Sequence, residues 1–186
     1  MALTTDAGLA FKSGNGQSVI GSVGPAFGCL NHDCDPPNRR PWINGEVQIR
    51  LSDATALTEL DTSDFIGVEP WGQWSGKDDA HLRLGVQTAP GDLSISSRYG
   101  PLLGGKRHDA QVSLLVNGCT IDKRRFETGD MQTVEGVIPK RCLHADGEID
   151  VEWRGPKPVR PVDLHINGDT RGLGVAVEGV SIREVR

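Results

Sequence analysis

From residue 46 onward the chain alternates apolar and polar positions with a period of two. In EVQIRL (46–51), Val47, Ile49 and Leu51 stand against Glu46, Gln48 and Arg50, the signature of a strand with one buried and one wet face. AHLRLGV, DLSISSRY, AQVSLLV, QTVEGVI, GEIDVEW and GVSIREV repeat the behaviour. Successive side chains of a strand point to opposite faces, so each apolar set marks one sheet face. Two sheets packed face to face are the simplest way to bury such faces. The pattern predicts an all-β fold over residues 46–186: a two-sheet antiparallel β-sandwich, jelly-roll-like. Residues 1–45 show no sustained period and many Gly, Pro, Asn and Ser, and read as an irregular N-terminal arm with one strand near QSVIGSV. Helical signal is confined to SDATALTELDTSD (52–64), enough for a turn or two with Ser52 as a candidate N-cap.

Composition agrees with short strands joined by turns. Gly occurs 24 times and Pro 11 times in 186 residues, against one Tyr and four Phe. The net charge of -5 and pI near 5.5 speak against nucleic acid, which needs clustered Lys and Arg, and the short runs at 39–41 and 123–125 read as solvated loop ends. No apolar run has the length of a membrane span. The opening MALTTDAGLAFKSGNG has neither a basic n-region nor an apolar h-region, so no signal peptide is expected. No strand–helix alternation is present, and GPLLGG (100–105) lacks the Lys and Ser/Thr of a phosphate loop.

Cys29, Cys34, Cys119 and Cys142 form an even set, which leans toward an oxidising compartment. Each neighbouring pair brackets a local segment, so bridges Cys29–Cys34 and Cys119–Cys142 are expected, the second flanking a segment that reads as a hairpin. His32 between Cys29 and Cys34 invites a zinc reading, but the spacing is wide and a fourth ligand is wanting. Asn31, Asp33 and Asp35 lack the glycine and terminal glutamate of a calcium loop. No metal and no cofactor is expected.

The chemistry-bearing stretch is FIGVEPWGQWSGKDDAHLRL (65–84). On a regular strand Trp71 and Trp74 face opposite ways, unless a bulge at Gly72 brings them together. Trp74 shares its parity with Leu82, Leu84 and Val86, which predicts Trp74 in the core. Trp71 shares the parity of His81 and Arg83, on the polar face. Asp169 followed two later by Arg171 reads either as a buried ion pair that fixes a turn or as a pair facing a ligand hydroxyl. Paired carboxylates, Asp78 with Asp79 or Glu69 with Asp169, would suit a glycosidase only at the right separation. No nucleophile elbow is present, and His32, His81, His108, His144 and His165 are scattered.

Two motifs taken together, E-P-W-G-x-W-S-G (Glu69–Gly76) and G-D-x-R-x-L-G-V (Gly168–Val175), resemble the small β-sandwich domain that accompanies bacterial surface-polysaccharide glycosyltransferases and phosphoglycerol transferases. VNG (116–118) and RGPKPVRP (154–161) fit as well, and the likeness extends over about residues 46 to 186. Gln73 departs from the basic residue usual between the two tryptophans, which weakens an anion-binding role there. The resemblance implies an accessory or recognition role beside a separate catalytic domain, at the cell envelope or outside the cell. Aromatic faces pack on sugar C–H groups while carboxylates take hydroxyl hydrogen bonds. The expected ligand is therefore a glycan, held by Trp71, Trp74, Glu69, Asp79, Asp169 and Arg171, with no catalytic residue. The alternative is an assembly module of a surface layer, a virion or an oligomer, its arm reaching a protein partner. A small hydrolase is the third reading.

Overall fold

A computed structural model of the chain describes residues 10–12, 18–20, 42–43, 45–53, 57–58, 60–86 and 91–185. The chain divides into two compact units, Met1–Asp35 and Pro36–Arg186, where the sequence pattern puts its boundary between 45 and 46. In the first, β1 (Ala10–Lys12) pairs antiparallel with β2 (Ser18–Ile20), the strand expected near QSVIGSV. The Cys29–Cys34 pairing and the zinc and calcium readings around it lie outside the described residues.

The second unit contains β3 (Trp42–Ile43), β4 (Glu46–Arg50), β5 (Phe65–Glu69), β6 (Gly72–Ser75), β7 (Asp79–Val86), β8 (Leu93–Pro101), β9 (Ala110–Val116), β10 (Cys119–Phe126), β11 (Gln132–Ile138), β12 (Glu148–Arg154) and β13 (Val175–Glu184). They build a two-sheet β-sandwich. One sheet runs β10-β9-β12-β7-β3, the other β11-β8-β13-β6-β5 with β4 also on β13. Pairing is antiparallel except for the short contact of β3 with β7. Among the described residues no helix is long and apolar enough to cross a membrane.

The period-two pattern decides what is buried. Ala80, Leu82 and Leu84 of β7, Val112 and Leu114 of β9, and Ile149, Val151 and Trp153 of β12 face inward from one sheet. They meet Ile95 and Tyr99 of β8, Val47 and Ile49 of β4, and Val134 and Ile138 of β11 from the other. On β13 a register slip between Val177 and Gly179 changes the inward parity, from Val175 and Val177 to Val180 and Ile182. Among the tryptophans whose burial is described, the one in the core is Trp153, fully buried with Phe65 edge-on at 6.0 Å. Trp74, expected there, is not. The parity argument fails because the chain passes from one sheet to the other between β6 and β7, and alternation carries no phase across such a crossing.

The segment between Cys119 and Cys142 is not a hairpin either: β10 and β11 belong to different sheets. The Cys119–Cys142 disulfide is present, and it ties the first residue of β10 to the 3-10 turn Lys140–Cys142 that follows β11. It therefore fastens the two sheets at one end of the sandwich. With its ends 23 positions apart in sequence, loop-closure entropy assigns it about 3 kcal/mol. The double Cys119→Ser, Cys142→Ser variant should lose about that much in urea unfolding.

Candidate functional site

The site is built on the hairpin β5–β6. Its register runs Phe65↔Ser75, Ile66↔Trp74, Val68↔Gln73 and Glu69↔Gly72, with a slip between Ile66 and Val68. Gly67 occupies that slip at φ +60°, and a Cβ there would lie 2.8 Å from Nη1 of Arg171. Glycine is required twice over, for the left-handed backbone and for the guanidinium resting against it. Gly72, at φ +153°, is pressed against β13, where a Cβ would come within 2.2 Å of the Val177 carbonyl oxygen.

Gln73 and Ser75 fill the inward positions of β6, 3% and 0% exposed, so Trp74 takes the outward one and is half-buried. Trp71 sits in the turn after Pro70, where strand alternation does not bind it. The two indoles meet edge to face, their centroids 5.5 Å apart and their planes at 88°, a favoured geometry for an aromatic pair. The structure thus brings Trp71 and Trp74 together as a corner rather than a flat platform, and the strand irregularity near them is at Gly67, not Gly72.

Beside the hairpin lies the loop before β13. Asp169 accepts from the Arg171 backbone N–H at 2.9 Å and from Nη2 at 2.7 Å, with Nε 3.0 Å from the same oxygen. Nη1 of Arg171 donates to Glu69 Oε1 at 3.0 Å. The Asp169 backbone N–H is in turn held by Asn167 Oδ1 at 2.8 Å. One guanidinium therefore bridges a carboxylate on its own turn and one on β5. The network is half-exposed rather than buried, with Arg171, Glu69 and Asp169 side chains 40%, 29% and 22% accessible. The Arg171 side chain and then its backbone N–H hold the Asp169 carboxyl below its ordinary range. The hydrogen bonds that Arg171 donates to Asp169 and then to Glu69 push its own pKa upward. A general acid needs the opposite shift, so Asp169 is held as a hydrogen-bond acceptor rather than as a proton donor.

Asp79 stands apart. It opens β7 in the opposite sheet, exposed, in register with Arg154, and among the described residues no bond joins it to Glu69, Asp169 or Arg171. Gly67 and Asn167, which position Arg171 and Asp169, are the residues the sequence pattern passes over. Their signals are the glycine that interrupts FIGVE and the NGD turn. Among the described residues no group of His, Cys, Asp and Glu is placed to hold a metal ion.

No protein-family model matches the chain, and no curated protein matches it. Among solved structures it is similar to dimeric latent PorU from Porphyromonas gingivalis, at TM-score 0.49 and 11% identity over 74% of this chain, which spans 12% of that protein's length. It is also similar to the CBM36-1 domain of a multidomain xylanase from the hindgut metagenome of Trinervitermes trinervoides, at TM-score 0.42 and 11% identity over 76% of this chain and 98% of that one. A family 35 carbohydrate-binding module from an environmental isolate is similar at TM-score 0.35 and 17% identity over 64% and 72% of the two chains. The fold rests on the strands themselves, and the chemistry of the site on its own residues.

Two outcomes are expected. Trp71→Ala and Trp74→Ala should each cost about 1–2 kcal/mol in urea unfolding, against about 3–5 kcal/mol for Trp153→Ala, because only the last empties a fully buried volume. In an NMR titration the Asp169 carboxyl should titrate below the ordinary 3.8, and Arg171→Met should return it upward. Because the folded pKa is the depressed one, the stabilisation from this pairing is present above the unfolded value. It is lost as pH falls through the native one.

Proposed function

We propose that the chain is a non-catalytic carbohydrate-recognition domain whose contact edge is the β5–β6 hairpin. The observation that carries the reading is the half-exposed right-angle pair Trp71/Trp74 on the hairpin whose Glu69 is tied to Arg171. Indole faces take the C–H surfaces of a sugar ring. Coplanar rings would suit a flat polymer surface, whereas perpendicular rings offer two walls, which fits a single sugar unit or a bend in a chain. Glu69 keeps Oε2 for a hydroxyl, and Arg171 supports Glu69 and Asp169 without needing to move, so little ordering entropy remains to be lost on binding.

The glycan in this reading is a polysaccharide of the bacterial cell surface, and the domain works at the envelope as an accessory to a separate catalytic domain. Support comes from the sequence likeness of Glu69–Gly76 and Gly168–Val175 to the domain that accompanies bacterial surface-polysaccharide transferases.

Calorimetry against purified bacterial envelope polysaccharides and neutral oligosaccharides tests this. Binding should weaken about tenfold or more in Trp71→Ala, as expected for the loss of one stacked ring and its burial, while circular dichroism stays that of the parent. A folded protein that binds none of these glycans at about 1 mM, a concentration that detects affinities near 4 kcal/mol, would sink the reading.

A further inference from the structure

The outer face of the opposite sheet carries a groove of about 310 Å³ that the hairpin site does not use, a volume at the lower end of the range for small-ligand pockets. Strand register explains its shape. Ser113 of β9 lies between Lys123 of β10 on one side and Arg154 of β12 on the other. Strands are about 4.8 Å apart, so two long cationic side chains stand roughly 10 Å apart over a short hydroxyl. One step along, Leu115 lies beside Thr120, and Gln111 completes the floor.

The donors of this groove outnumber its acceptors. Lys123 has no ion-pair partner among the described residues. Arg154 is held at Nε by Glu152 Oε1 at 2.6 Å, and no bond among the described residues takes Nη1 or Nη2. Glu152 is only 7% exposed, seated between His81 of β7 and Leu115 of β9. A buried carboxylate of this kind anchors the guanidinium while offering almost no negative surface of its own. Asp79 flanks Arg154 from β7, and it is not among the residues that line the groove. Ser113, Thr120 and Gln111 can each donate as well.

We infer that this groove is an oxyanion site that takes a carboxylate, sulfate or phosphate group between Lys123 and Arg154, with Ser113 beneath it. An ionic acceptor meets a preset guanidinium and a free ammonium here, and such charge-assisted bonds are about twice as strong as neutral ones. The group arrives either as a free anion or on an acidic saccharide, and the two sources share this chemistry.

The test is a ¹⁵N NMR titration at matched ionic strength with sodium sulfate, sodium chloride, trigalacturonate and neutral galactotriose. Sulfate and trigalacturonate should move the amides of Ser113, Lys123 and Arg154, while chloride and galactotriose leave them in place. Lys123→Met should weaken both about tenfold, whereas Lys106→Met, which removes an exposed charge elsewhere, should not. Tighter binding of trigalacturonate than of sulfate identifies a saccharide-borne anion; equal affinity identifies the free one. The inference is overturned if no anion moves these amides, or if Lys123→Met leaves the shifts unchanged. The indole N–H signals of Trp71 and Trp74 in the same spectra report on the hairpin, so failure of the groove and failure of the carbohydrate edge are read separately.

Discussion

Trp153 on β12 donates its indole N–H to Ser97 Oγ on β8 at 3.1 Å, and Ser97 Oγ donates to the Gly179 carbonyl on β13 at 2.9 Å. This polar thread crosses an otherwise apolar core and joins the two sheets through fully enclosed groups, Trp153 at 0% and Ser97 at 2% exposure. A buried indole N–H without an acceptor would cost about 1–3 kcal/mol, so the largest core side chain can sit only where a hydroxyl meets it. That requirement fixes how the sheets lie over each other. Phe65 packs edge-on against the same indole, and Phe65 begins the hairpin whose far end carries Trp71. The position of the candidate carbohydrate edge thus follows from the position of one core tryptophan.

Strand β6 docks through polar contacts, which is why its inward side chains are Gln73 and Ser75. One edge of β13 is shared end to end, by β6 at Ala176 and Val177 and by β4 from Gly179 to Arg183. Where one partner stops and the next begins, backbone groups lose their ladder bonds. Gln73 Nε2 donates to the Leu51 carbonyl at 3.1 Å, and Ser75 Oγ accepts from the Val175 N–H at 2.7 Å. Both side chains are buried because each repairs a strand end. Trp74 is left outside as a consequence, free to meet Trp71. The exposed aromatic corner and the interrupted pairing of β13 are one arrangement.

Much of the sandwich was legible in the sequence because a half-buried strand writes its environment every second residue, as β7, β8, β9 and β12 do. β10 does not: of Cys119–Phe126 only Phe126 is buried, so its alternation is nearly silent, and it was passed over. β5 and β6 were hidden for a different reason, since hydrophobic patterning assumes that polar residues face water, and Gln73 and Ser75 break that rule with backbone partners no local pattern shows. Trp74 was placed in the core by carrying the parity of β7 back across the crossing between sheets. Of the site, Asp169 and Arg171 were legible as a pair because both belong to one short turn. Glu69, 102 residues away in sequence from Arg171, joins them through sheet order alone. The Lys123–Ser113–Arg154 row is a three-strand juxtaposition that no linear motif announces.

The two outer faces differ in electrical character, within a chain of net charge -5. The hairpin edge sets two carboxylates against one guanidinium, an excess of negative charge that admits hydroxyls and repels acidic groups. In the groove, Glu152 cancels Arg154 and Lys123 is left over, which favours an anion. Sheets in a sandwich pack about 10 Å apart, and side chains on the outer faces are farther apart still. At physiological salt the screening length is about 8 Å, so neither face imposes its field on the other. Each face is therefore electrically independent of the other, and the carbohydrate and oxyanion readings proposed for them do not compete.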